Sequence, residues 1–192
     1  MARQKIGTLL YGVGKFTPIK NATSLERKAR KTWGGMLERC YSPASKNKHP
    51  TYSECYVCDE WLDFENFKQW YIDNYVEGYH LDKDLSHLNN KVYSPATCVF
   101  VPRWLNNILL DSKASRGEYP KGVSYCKGKY KARYSNMGTC VYLGLFDTVN
   151  EAEKAYKHAK GKHLLEVSNR SDIPASVRNT LKTLGLKLIK EI

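Results

Sequence analysis

Between Leu25 and Cys40 apolar side chains return every three or four positions, at Leu25, Ala29, Trp33, Met36, Leu37 and Cys40. That period places them on one side of an α-helix, and it predicts an amphipathic helix over Glu26–Cys40 with Ser24 as its cap. The other side of the same helix carries Arg27, Lys28, Arg30, Lys31 and Arg39. A second stripe, Trp61, Phe64, Phe67, Trp70 and Tyr71, predicts a helix over Glu60–Asn74. Aromatic stripes of this kind usually fill a core. Between the two helices, Ser42–Pro50 reads as a loop with Lys46 and Lys48, closed by proline. Ahead of them, Gly7, Gly12, Gly14 and Pro18 break residues 1–23 into an arm or an irregular strand pair.

Beyond Tyr75–Gly78 the runs shorten. Val99-Phe100-Val101 predicts a strand stopped by Pro102, and Ile108–Leu110 a short apolar helix end. The polar run 111–118 reads as a linker. Three strands follow, over Gly122–Tyr125, Lys129–Tyr134 and Cys140–Phe146, with turns at Lys127-Gly128 and Asn136-Met137-Gly138. Thr148 or Asn150 then caps a helix to about His163, whose small face is Ala152, Ala155, Tyr156 and Ala159. In the tail, Pro174 opens a helix bearing Leu181 and Leu184, Gly185 stops it, and Leu186–Ile189 forms a last strand. The class is α+β. Residues 1–112 make one domain, and 113–192 a second in which a small three-stranded antiparallel sheet packs on one helix.

Charge adds a division that hydropathy does not show. The net charge of +12 is distributed as +9 over residues 1–49, −6 over 50–112 and +9 over 113–192. Two basic flanks suit a polyanion, and an acidic middle suits a metal cation. Solvated surface charge gives the same totals. Met1–Gly14 lacks a signal-peptide pattern and no apolar run spans a bilayer, so a cytoplasmic protein with reduced cysteines is expected. Cys55-x-x-Cys58 with Cys40 and Cys98 would make a four-thiolate zinc set. Zinc sites usually repeat the close pair, which this chain has once, and buried thiols account for the cysteines equally well.

Candidate chemistry gathers in Tyr79–Asn107. There His80, the Asp82-Lys83-Asp84 run, Asn89-Asn90, Thr97 and Asn106-Asn107 alternate with apolar runs. His-x-Asp, Leu-Asn-Asn, a proline, a strand-like run and a closing Asn resemble the ββα-metal motif of HNH nucleases. The resemblance implies a divalent metal, Mg²⁺ or Mn²⁺, and no small-molecule cofactor. It implies His80 as the base that activates water, Thr97 where the family has the Asn that orients the base, and Asn106 as a metal ligand. Tyr79 departs from the Asp or His that commonly precedes the base. In a second register Asp82 is the metal ligand, Lys83 stands in the position of the base and Asp84 adds a carboxylate; a lysine base needs burial to lower its pKa. A site decayed to a DNA-binding fold remains a third option.

The second half resembles another family. Lys-Gly-Val-Ser-Tyr (121–125), Gly-Lys-Tyr-Lys-Ala (128–132), Tyr-Leu-Gly-Leu-Phe-Asp-Thr (142–148) and Glu-Ala-Glu-Lys-Ala-Tyr (151–156) are similar to the plant ethylene-response, Apetala-type, DNA-binding domain. Trp-x-x-Met-Leu-x-Arg-Cys-Tyr (33–41), Leu-Asp-Lys-Asp (81–84) and Tyr-Ser-Pro-x-Thr-Cys-x-Phe-Val-Pro (93–102) extend the likeness to phage-borne HNH proteins that carry such a domain. The implied function is a sequence-selective, metal-dependent DNA endonuclease of homing or phage type, acting on double-stranded DNA. A DNA-binding regulator or masking factor is the alternative. An RNA-binding accessory protein is less favoured, because no RNP-like aromatic stripe lies along the strands. The expected DNA contacts are Ser124, Lys127, Lys129, Lys131 and Arg133 on the sheet, with Tyr125 and Tyr134 on sugars. The lysines suit phosphates and Arg133 suits bases. Arg27, Arg30 and Lys31 on the first helix would add phosphate contacts.

Overall fold

Thr23, one residue before the expected Ser24, caps the first helix. Its hydroxyl accepts from the Glu26 amide while the Glu26 carboxylate accepts from the Thr23 amide. This reciprocal box satisfies two amides that would otherwise lack partners, and α1 runs from there over Ser24–Tyr41. The computed structural model describes residues 9–87, 90–109, 117–136 and 138–191. They form two compact units, Met1–Val101 and Pro102–Ile192. The polar run 111–118 falls largely outside the described residues.

In the first unit, α2 (Pro43–Lys48) replaces the expected loop, because Ser42 caps it and Pro43 suits a first turn. A 3₁₀ turn (Pro50–Tyr52) and β1 (Tyr56–Val57) follow. The expected helix over Glu60–Asn74 is instead two pieces, α3 (Asp59–Leu62) and α4 (Phe64–Asn74). The break is made by the N-terminal arm. Lys15 donates its amide to Leu62 O and accepts from the Phe64 amide, and Asp63 caps α4 through the Glu65 amide. The predicted apolar faces are the core: Ala29, Trp33, Met36, Leu37 and Cys40 of α1 meet Trp61, Phe64, Phe67 and Tyr71. Within it the Trp33 indole donates to Trp61 O at 2.6 Å.

The remaining strands of this part are short. β2 (Tyr79–Asp82) pairs with β4 (Val99–Pro102), and β3 (Val92–Tyr93) pairs in parallel with β1.

The second unit opens with α5 (Arg103–Leu109). β5 (Val123–Cys126), β6 (Lys129–Asn136) and β7 (Thr139–Phe146) form the antiparallel sheet, in the order β5-β6-β7. Lys127 and Gly128 both have positive φ, 50° and 82°, as a two-residue hairpin turn needs to follow the twist of its strands. Thr148 caps α6 in a second reciprocal box, with Glu151, and α6 extends to Ser168, past the expected end. α7 spans Ala175–Lys190 without interruption. Gly185 therefore does not end a helix, and no strand follows it. It is the contact point of α6 and α7: a Cβ built on Gly185 lies 2.9 Å from Gly161 O, and one on Gly161 lies 2.9 Å from Gly185 O. Among the described residues no helix is long and apolar enough to cross a membrane.

A side chain at that contact must push the helices apart. Gly185→Val is expected to lower the stability of the chain by roughly 1–3 kcal/mol. A urea melt followed by far-UV circular dichroism measures the loss, and an unchanged midpoint would refute the close contact.

Candidate nucleic-acid interface

Which strand residues face outward follows from what the sheet must bury. Ala132 and Tyr134 are buried on the side packed against α6, so their neighbours Lys131, Arg133 and Ser135 project to the opposite side. Cross-strand partners share a face, so Ser124 opposite Lys131 and Leu145 opposite Lys131 join this outward set. Between Ala132 and Arg133 the register shifts, and Leu143 becomes the extra residue of a bulge. The shift pairs Tyr142 with Arg133, so Tyr142 and Leu145 lie on the same outward face although three positions apart. Both are open to solvent, Tyr142 at 59% and Leu145 at 49%. Lys129 reaches Asp147 at 2.9 Å at one end of the face. Lys127 stands exposed in the hairpin turn.

Two of the expected contacts lie on the other side of the sheet, Tyr134 buried and Tyr125 55% exposed. Tyr134 faces the core, where its hydroxyl is hydrogen-bonded to Nδ1 of His163, and burial pushes the phenol up to about 12. Tyr125 pairs with Tyr130, so it shares the α6 side of the sheet and sets its ring against Tyr130 with centroids 5.4 Å apart. The outward aromatic is Tyr142, which simple alternation misplaces because it cannot see the bulge.

On α1, Arg27 and Lys31 are exposed. Arg27 donates to Ala22 O. Arg30 is drawn into packing instead, its guanidinium 3.8 Å from the centre of the Phe16 ring. Lys28 ion-pairs with Glu77 at 2.8 Å.

The polar motif of the first unit is organised around Lys83. Only 6% of this side chain is exposed, and its ammonium donates to Asp84 and to Asn90 O, the latter at 2.8 Å. The rings of Tyr93 and Tyr52 lie 5.7 and 5.9 Å from it. Burial lowers the lysine pKa, but the Asp84 carboxylate outweighs burial and leaves it above the ordinary value. The residue therefore stays protonated, the wrong state for a base. Asp82 is equally engaged: one carboxylate oxygen accepts from the Asp84 and Leu85 amides, at 2.8 and 2.7 Å. Burial raises its pKa. Asn90 donates to Lys83 O and Val92 O and accepts from the Val92 amide. Thr97 donates to Val92 O at 2.8 Å and meets the Ser94 hydroxyl at 2.9 Å. Lys83 and Thr97, expected at the catalytic site, and Asp82, expected on the metal, hold this loop together through these hydrogen bonds.

His80 differs. It is exposed on β2, two residues from Asp82 and so on the same side of the strand. Asn106 lies on α5 in the second unit, its Oδ1 buried without a hydrogen-bond partner among the described residues. Asn89 lies outside the described residues.

Among the described residues no three His, Cys, Asp or Glu side chains gather as a metal site. One oxygen of Asp82 holds two amides and one oxygen of Asp84 holds the Lys83 ammonium. The four cysteines of the zinc expectation are free thiols; Cys40, Cys55 and Cys98 are buried. Burial raises Cys40 to about 11 and Cys98 to about 12.

Compared with protein-family models, with curated proteins and with solved structures, the chain matches none.

The support beneath the interface titrates. Burial holds the His163 imidazole below its ordinary value, against a smaller opposing pull from Glu166. The unfolded chain thus binds that proton more readily than the folded one. The site's contribution to stability is full above the unfolded value of about 6.5 and is lost as the pH falls below it. The melting temperature is expected to drop between roughly pH 7 and pH 5. Ring-proton NMR should place the His163 midpoint below that of a free imidazole; a midpoint above it would contradict the burial argument.

Proposed function

We propose that this protein binds duplex DNA selectively through the outward face of the β5-β6-β7 sheet. One observation carries the proposal: Lys129, Lys131 and Arg133 alternate along one strand with Ser124 and Tyr142 in register beside them, while α6 backs the other face. A sheet of two or three strands is narrow enough to enter the major groove, where outward side chains meet base edges. Arg133 suits base contact, because its planar fork can form two parallel hydrogen bonds, and the lysines suit phosphates. The Tyr142 ring supplies an apolar surface for sugar or methyl groups. Arg27 and Lys31 extend the basic surface of the first unit. Reduced cysteines suit work in a cytoplasm.

A second reading adds cleavage, making the protein an HNH-type, metal-dependent endonuclease of homing or phage type. The observation favouring it is the exposed His80 imidazole on the same strand side as Asp82. A water-activating base must be accessible to the water it activates, and histidine is the side chain most often used for that task. The engagement of Asp82, Lys83 and Thr97 in the loop favours binding without cleavage.

Arg133→Gln is expected to weaken binding to the preferred duplex by about 1–3 kcal/mol and to relax base preference. Lys131→Gln should weaken all duplexes alike and reduce the salt dependence by about one phosphate contact. Anisotropy titrations across a salt series test both, and wild-type affinity that ignores salt would overturn the proposal. Plasmid nicking with Mg²⁺, Mn²⁺ or EDTA separates the readings. If cleavage occurs, His80→Ala should cut it by ~10²–10⁴-fold with binding retained; if no metal supports nicking, the protein binds without cutting.

A further inference from the structure

Beside the outward face, at the start of β5, the second unit has an open cleft of about 650 Å³. Its lining includes Arg103 and Trp104 of α5, Lys121 ahead of β5, and Arg133 of β6. The rest of the lining is mostly apolar, with Tyr134 and Tyr156 among it, so the cleft joins a flat aromatic floor to a few cations, as sites for small ligands do. The indole is also held in place. Arg170 lies with its guanidinium 5.1 Å from the centre of the Trp104 ring. Asp172 grips that guanidinium with two hydrogen bonds, at 3.0 and 2.8 Å. A two-point grip fixes the plane of an arginine, and an arginine plane fixes the aromatic it covers. Trp104 is half-buried, so part of it stays accessible.

We infer that this cleft binds one unpaired nucleotide of the bound DNA, with the base stacked on Trp104 and its phosphates held by Arg103 and Lys121. The inference rests on the reading of the sheet face as a duplex-binding surface, and Arg133 of β6 is a residue that borders both the cleft and that face. The cleft volume falls in the range that encloses a single small ligand, and a duplex is too wide for it. A flat π-surface with cations around it matches a base that carries its own phosphate, and stacking makes the site tolerant of base identity. The site therefore takes a nucleotide displaced from the helix at a nick, bulge or frayed end.

The test uses the full chain and three labelled DNAs: a blunt duplex, the same duplex with one unpaired central nucleotide, and a short single strand. Anisotropy should show the bulged duplex bound about tenfold tighter than the blunt one. Trp104→Ala should erase that difference while leaving blunt-duplex affinity unchanged, and Trp104→Phe should restore part of it. Should Trp104→Ala fail to fold by circular dichroism, Arg103→Gln, at an exposed position, must reduce the preference instead. Equal wild-type affinity for blunt and bulged duplexes overturns the inference and leaves the duplex reading standing. If blunt duplex is not bound at all, the duplex reading fails, and single-strand binding lost in Trp104→Ala shows the cleft acting alone. Absence of both binding modes overturns both.

Discussion

A strand can offer each residue to one face only, and in the second unit α6 claims one face of β6. Ala132 is fully buried there and Tyr134 nearly so, with the phenol bound to a buried imidazole. Everything on the other face follows from that packing. Lys131 and Arg133 must point outward, and the bulge at Leu143 brings Tyr142 opposite Arg133. The approach of sheet and helix is close: a Cβ on Gly122 would lie 2.1 Å from the Tyr156 ring, and the backbone there has a φ of +80°. A basic outward face is therefore the counterpart of a tightly packed inner one.

A different constraint orders the first unit. A buried ammonium is costly to leave without partners, and the chain surrounds Lys83 with Asp84, a backbone carbonyl and two tyrosine rings. Asn90 and Thr97 then close the loop through Val92. Polar residues so close in sequence look like catalytic groups because both tasks use the same side chains. What distinguishes them is whether their hydrogen-bonding atoms are already occupied. His80, exposed on its strand, has no such role among the hydrogen bonds described for this loop.

The helices join these local arrangements into cores. α1 and α4 meet through aromatic rings, with Trp33 and Phe64 centroids 5.4 Å apart, while α6 and α7 meet backbone to backbone at Gly161 and Gly185. The first contact tolerates irregular shape because many rings share it. The second depends on the absence of two side chains, which makes it sensitive to single methyl groups.

Periodicity alone determined the α+β class, the faces of α1 and α6, the three strands of the second unit and the hairpin at Lys127-Gly128, because each is a repeat or a turn preference within a few residues. Counting charges separated the basic flanks from the acidic middle. The cap at Thr23 was one residue away in the pattern, since Ser24 offers the same hydroxyl. Tertiary structure decided what depends on distant partners. The arm at Lys15 splits one expected helix at Asp63, and Gly185 becomes a helix contact because Gly161 lies opposite it. Tyr125 and Tyr134 lie on the side of the sheet that carries α6, and a bulge in β7 turns Tyr142 to the other side. The bonds by which Asp82, Lys83 and Thr97 hold their loop came only with the fold, because what a side chain touches is not written in its spacing.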